Sequence, residues 1–253
     1  MTHSTFTNPT IDLMMNHVSV RSFTSDPVPD EMVDAIIESA RRQPTSSNWQ
    51  TYSIIVIRDP ATKARLMELS GDQGHVGQSQ VFLAFAADVR RLDQAASLHD
   101  KAPAGGLNQT IVSIVDAAIV GEAAQIAAES FGLGAVMVGA MRRHPEEVAE
   151  VLGLPNGVFI LFGMSIGWPE GDPRAPGLKP RLPDALVVHD ERYSDAGYED
   201  LIRSHDADLA DVSRRRGQNL DQAAWSGPVA RGVSEKKYTE LREFIERQGF
   251  SLD

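Results

Sequence analysis

The 253-residue chain contains no cysteine. Disulfides, thiolate metal sites and iron–sulfur centres are thereby excluded, although the compartment is not. Basic residues are the next shortage: 24 Lys+Arg stand against 35 Asp+Glu, a formal charge of -11. A chain this acidic is a poor partner for nucleic-acid backbones or anionic membrane surfaces, and neither is expected. Any anionic ligand must then be held by a local basic pocket against the surrounding field. No uncharged apolar run reaches the roughly twenty residues that a membrane span needs. The opening residues carry no basic stretch followed by an apolar one, so a cytoplasmic protein without a signal peptide is expected. The histidines show neither H-E-x-x-H nor a paired-carboxylate ligand spacing, so no metal is expected.

What is present reads as alternating helices and strands. The length suffices for a full core, and residues 1–253 are read as one domain with a C-terminal helical excursion over 190–253. Thr10 is placed to cap a short helix through Asn16. Pro29-Asp30-Glu31 open a second helix, with Val33, Ile36, Ile37 and Ala40 at helical spacing and Pro44 beyond its end. Strands are expected over 53–57, 81–87, 134–140 and 158–166, with helices over 61–69 and 145–152 between them, and a last short strand over 185–188. Residues 107–131 form the longest periodic segment, apolar or small on most faces, interrupted by Asp116 and Glu122. Such a helix must be covered on all sides, by its own domain or by a second subunit. Gly132 ends it in a left-handed conformation. Five of the fourteen prolines crowd between Trp168 and Pro183, and two amphipathic helices close the chain. The class is α+β or three-layer α/β/α, with a mixed central sheet flanked by helices.

Two short basic clusters carry the chemistry. In an extended stretch His17, Ser19 and Arg21 share one face while Val18 and Val20 share the other. Three donors beside an apolar anchor suit a phosphate or the edge of a polarised heterocycle. At Leu178-Lys179-Pro180-Arg181-Leu182 the proline holds the backbone extended, with a lysine and an arginine on one side of a stiff loop. Taken singly, the first is equally a solvated turn and the second a surface linker. Two other motifs compete. Gly163-Met164-Ser165-Ile166-Gly167 matches G-x-S-x-G, which keeps a serine-hydrolase reading open. A nucleophile elbow needs a helix straight after its turn, and Trp168-Pro169-Glu170-Gly171-Asp172-Pro173 cannot open one. Gly132-x-Gly134 with Gly139 has the wrong spacing for a dinucleotide fingerprint and precedes a strand instead of following one.

The two clusters, with Thr45-Ser46-Ser47-Asn48, Gly71 to Val76, Gly132 to Arg142 and Gly167-Trp168-Pro169 between them, resemble the nitroreductase family. The similarity is to its oxygen-insensitive NADPH nitroreductase and NADPH:flavin oxidoreductase branch and covers nearly the whole chain. The resemblance implies an α+β homodimer with FMN in clefts between the subunits and NADPH as hydride donor. It implies that His17, Ser19, Lys179 and Arg181 meet the phosphate and ribityl end, and that Arg21 approaches N1 and O2 of the flavin. Gln73 would bond the pyrimidine edge, and Thr45, Ser46 and Ser47 would reach in from the neighbouring subunit. Val138, Gly139 and Ala140 would lie against the ring. Arg216, last of the run Arg214-Arg215-Arg216, falls where relatives bind the 2′-phosphate of NADPH. Val18 stands where close relatives commonly carry arginine, and Ala140 where a second glycine is usual. The implied activity is two-electron transfer from NADPH to a small-molecule acceptor such as a nitroaromatic, a quinone or free flavin, with no side chain named as catalytic. A flavin reductase feeding a partner monooxygenase and a non-turnover flavin-binding protein are the neighbouring readings.

Overall fold

The computed structural model describes residues 6–103, 105–175, 177–215, 217, 224–235 and 238–253. It divides into two compact units, Met1–Gly171 with Tyr238–Asp253, and Asp172–Lys237.

The first unit is built on four strands: β1 (Tyr52–Ile57), β2 (Val81–Asp88), β3 (Gly134–Val138) and β4 (Val158–Gly167). They lie in the order β1-β2-β4-β3. Every neighbouring pair is antiparallel, where a mixed sheet was expected. The α+β class stands. Strand direction follows from how each connection returns to the sheet, and local residue patterns do not carry that. The central strand β2 is buried along its whole length, and its alternation feeds two cores. Val81, Leu83, Phe85 and Ala87 pack with α2 (Asp30–Ala40) and the Ala117–Val120–Ala124–Ala128 stripe of α6 (Leu107–Ser130). Phe82, Ala84 and Ala86 face Leu66, Leu69, Val76, Met141 and Val148. Those last five come from α3 (Pro60–Leu69), α4 (Gly74–Gln78), the 3-10 turn Gly139–Arg142 and α7 (Pro145–Leu152). Helices therefore cover both faces of the sheet.

By length and composition α6 could cross a membrane, but in this fold its small-residue stripe sits against the sheet. Its opposite side is open: Ile111, Val115, Ile119 and Phe131 are exposed. A groove of about 790 Å³ runs between α1 (Pro9–Met15), α2 and α6, lined by Leu13, Ala35, Ile119, Ile126 and Phe131 among others. The expected enclosure of this helix is thus half supplied by the chain itself. Gly132 ends α6 with φ 82°, as its sequence context required.

Some boundaries differ from expectation. Asn8, and not Thr10, caps α1, its side chain accepting from the N–H groups of Thr10 and Ile11. A further helix, α5 (Arg90–Ser97), follows β2. β3 stops at Val138 because the chain enters the 3-10 turn at Gly139. The closing segment, with α10 (Leu241–Arg247), returns to the first unit: Phe250 meets Phe159 edge-to-face at 4.7 Å, and Gly157 N–H donates to Gln248 O at 2.7 Å. In the second unit residues 185–188 are not a strand. Pro183 opens a 3-10 turn over Asp184–Leu186, closed by Leu186 N–H donating to Pro183 O at 2.9 Å. That unit also holds α8 (Tyr198–Arg215) and α9 (Ser226–Ser234).

Candidate functional site

The segment after α1 runs along the free edge of β3. Val20 N–H donates to Ala135 O at 3.0 Å, and Phe23 bridges Pro169. Val20 is buried against Gly134, where a Cβ would lie 2.6 Å from the valine side chain. Only glycine admits that approach. With Val20 turned inward, Ser19 and Arg21 are exposed on the other face, the alternation read from the sequence. Val18 is half-buried.

His17 is held from α6. Its Nδ1 lies 2.6 Å from Glu129 Oε1 and 3.2 Å from the Gln125 amide. The two contacts compete for one ring nitrogen. A carboxylate can only accept, so the short contact places a proton on Nδ1, and Gln125 Nε2, itself a donor, is then a neighbour and not a bonding partner. Nε2 is left to face a ligand.

A second network adjoins Arg21. The Gln73 amide donates from Nε2 to Ser70 O at 3.0 Å, so its Oε1 can only accept. His75 Nε2, 3.2 Å away, is therefore the proton-bearing nitrogen. Nδ1 then accepts from Ser165 Oγ at 3.1 Å. The imidazole is buried, and burial, joined by the nearby Arg21 charge, holds His75 below the ordinary histidine range. It is a neutral link in a fully directed chain of hydrogen bonds.

This geometry removes the hydrolase reading. Ser165 sits inside β4, paired with Phe82 and Val136, and is wholly buried. Its hydroxyl is used by His75, and the strand-to-helix turn that would present a nucleophile is absent.

The hydroxyl loop is anchored elsewhere on α6. Asp116, read in the sequence as an interruption of an apolar helix, is buried and accepts from Ser46 N at 3.1 Å, Thr51 N at 3.1 Å and Thr51 Oγ1 at 2.7 Å. Arg91 adds bonds to the carbonyls of Gln50 and Tyr52. Between these ties Ser47, Asn48 and Gln50 have φ of 49°, 58° and 55°. Non-glycine residues in that region are strained, so the loop shape is imposed by its anchors. From Asp116 to Glu129 is thirteen residues of helix, about 20 Å at 1.5 Å per residue. Within one chain the Thr45–Ser47 loop and the His17 cluster are therefore well apart.

The turn at Gly139–Arg142 begins without a side-chain cap, and the first N–H groups of such a turn lack helical partners. Val138 is buried, while Gly139 and Ala140 are half-buried. Lys179 and Arg181 belong to the second unit, both exposed in an irregular stretch over 177–183. Arg216 lies outside the described residues; its neighbour Arg214 pairs with Asp211 at 2.5 Å.

The donor set was tested against the cofactor implied by the resemblance. A phosphate and a flavin edge ask for an imidazole, hydroxyls, guanidinium groups and free backbone N–H groups, and the surroundings of His17, Ser19, Arg21 and Gly139 offer all four. Among the described residues Arg21 makes no ion pair; its guanidinium reaches only Ser19 O, at 3.5 Å. The residues fit. Sequence reasoning missed Glu129, His75 and Asp116. Asp116 alone left a signal, a carboxylate on a buried helix face.

The sequence signature of the nitroreductase family matches residues 14–168, and that of the family's C-terminal domain matches residues 179–253. An oxygen-insensitive NADPH nitroreductase of Salmonella typhimurium is 39% identical over 244 residues, 96% of this chain and 99% of that protein. An FMN reductase (NAD(P)H) of Bacillus subtilis is 38% identical over 253 residues, 97% of this chain and 99% of that one. The solved structure of NfrA2 from B. megaterium superposes with a TM-score of 0.93 at 39% identity, covering 98% of this chain and 100% of the other.

Proposed function

Because this chain belongs to the nitroreductase family, we propose that it is an FMN-dependent NADPH oxidoreductase passing electrons in pairs to small acceptors. The names of its relatives, an NADPH nitroreductase and an FMN reductase, support both cofactors. The observation that carries the reading is an exposed Arg21, without an ion pair among the described residues, whose charge acts on a neutral Gln73–His75 network in a chain of net charge -11.

When bound, FMN supplies a two-electron relay from nicotinamide to acceptor. Arg21 stands where negative charge gathers at the N1–O2 edge on reduction, and a fixed cation there favours the reduced form. His17 would present Nε2 to the phosphate, with Ser19 beside it, and the family resemblance assigns Lys179 and Arg181 to that phosphate as well. Gln73 keeps one amide N–H for the pyrimidine edge. Val138, Gly139 and Ala140 hold backbone against the ring. Ala140 adds a methyl where a second glycine is usual and narrows that side. The chemistry FMN would supply is two alternating half-reactions in one pocket, with a hydride from NADPH and release of NADP+ preceding entry of the acceptor. Protons come from water, so no side chain is assigned as acid. Nitroaromatics, quinones and free flavin are the acceptors; supply of reduced flavin to a monooxygenase is the second reading. The arginine run ending at Arg216 is our choice for the NADPH 2′-phosphate.

We further propose a homodimer. The roughly 20 Å between the anchors of the hydroxyl loop and of His17 supports clefts completed by Thr45, Ser46 and Ser47 of a second copy. The exposed apolar side of α6 supplies a surface for that copy.

The purified protein should be yellow and release FMN at about one per chain, and anaerobic NADPH should bleach it. Arg181→Ala removes a charge-assisted contact of about 1.5–3 kcal/mol, so FMN binding should weaken about ten- to a hundredfold. A colourless protein that cannot be reconstituted with FMN refutes the proposal.

A further inference from the structure

Arg143 follows the turn Gly139–Arg142, its N–H donating to Ala140 O at 2.9 Å. That turn packs on α3 and β4. The side chain crosses to the turn after α3. A Cβ on Gly71 would lie 2.0 Å from Arg143 Nη1 and 3.0 Å from Cζ. The guanidinium therefore rests directly on the Gly71 backbone, in space that any other residue would fill. Gly71 itself has φ 79°. Two residues on is Gln73, bonded to His75, and His75 feels the charge of Arg21. Arg143 thus rests two residues from Gln73, and Arg21 is near enough to His75 for its charge to act on it.

Their charges are uncompensated. Arg58, Arg65, Arg91, Arg203, Arg214 and Arg247 each pair with a carboxylate. Among the described residues Arg143 and Arg21 pair with none. Asp72, the acid on the same turn, is exposed and among the described residues makes no ion pair. Arg142 next door is occupied, donating to Leu161 O and lying 5.8 Å over the Tyr238 ring. In a chain with eleven more acids than bases, an exposed arginine laid on a glycine without an acidic partner is available for an anion.

We infer that Arg143 is a specificity residue, giving the acceptor pocket a preference for aromatic acceptors that carry a carboxylate or sulfonate on the reducible ring. The inference rests on the flavin reading above. With Arg21 engaged by the cofactor, Arg143 remains a cation open to what enters after it. A planar guanidinium forks onto a carboxylate in two-point fashion, which also orients the ring.

The test uses the FMN-loaded enzyme and two non-oxidising ligands of the same shape, 4-aminobenzoate and 4-aminobenzamide, titrated by calorimetry. The benzoate should bind about three- to tenfold more tightly, the scale of a part-exposed ion pair. That advantage should shrink in about 0.5 M salt. Arg143→Gln should abolish it and Arg143→Lys should restore part of it. The ratio of kcat/KM for 4-nitrobenzoate over 4-nitrobenzamide should fall in parallel. Equal binding of the two ligands by the wild type, or an advantage that survives Arg143→Gln, overturns the inference. So does a raised KM for NADPH with the acceptor ratio unchanged, since Arg143 would then serve the donor. Failure of the wild type to hold FMN or to be bleached by NADPH instead overturns the flavin reading.

Discussion

Asp116→Ala isolates the cost of holding a strained loop by one buried carboxylate. The wild-type oxygens accept from Ser46 N, Thr51 N and Thr51 Oγ1. Thr51 is buried, so its N–H has no water to turn to. An orphaned buried donor costs about 1–3 kcal/mol, and the two further bonds to a charged acceptor, at about 1.5–3 kcal/mol each, bring the gross loss to about 4–9 kcal/mol. Release of the left-handed residues Ser47, Asn48 and Gln50 offsets part of this, leaving about 2–4 kcal/mol. Asp116→Asn should fall lower in that range, because its amide oxygen still accepts and only its nitrogen turns a donor toward a donor. Thr51→Val removes one bond and should cost about 1–2 kcal/mol. Urea unfolding at fixed protein concentration gives the stabilities, since dimerisation would otherwise enter the comparison. Hydrogen exchange at the Ser46 and Thr51 amides reports the loop directly and should accelerate in Asp116→Ala more than in Thr51→Val. An Asp116→Ala protein within about 0.5 kcal/mol of wild type, the range of an ordinary surface change, would falsify the anchoring argument.

Three further outcomes follow from the same geometry. Arg21→Ala that retains FMN should show a lower flavin midpoint potential and slower reduction by NADPH, measured by spectroelectrochemistry and stopped flow; an unchanged potential places Arg21 away from the flavin. His75 titrates below its unfolded value near 6.5 because of burial and the Arg21 charge, so the unfolded chain binds the extra proton. Its contribution to stability should be complete above about pH 6.5 and decline as pH falls toward the lower folded value. The stability difference between wild type and His75→Gln, measured by urea unfolding from pH 5 to 8, should show that slope, and a flat difference refutes it. Arg216→Ala should raise the KM for NADPH with little change in kcat and leave NADH kinetics alone, the mark of lost uniform binding; equal loss with both nicotinamides, or with neither, removes the assignment.

The chain's local elements were legible because local rules govern them. The helix expected over 145–152 is α7, observed as Pro145–Leu152 with proline opening it and Glu146 and Glu147 in its first turn. Gly132 ends α6 because only glycine takes φ 82° there without cost. Alternation put Ser19 and Arg21 on one face since Val20 had to be buried. The family, and with it the layered α+β fold, could be read from short segments scattered along the chain. What tertiary structure alone decided is which distant residues share a proton. His17 with Glu129, His75 with Ser165, and Thr51 with Asp116 are separated by 112, 90 and 65 residues. No periodicity encodes such pairings, because a hydrogen bond depends on where two backbones arrive, and that is set by packing both faces of one sheet. The same holds for Arg143, whose guanidinium the fold lays on Gly71.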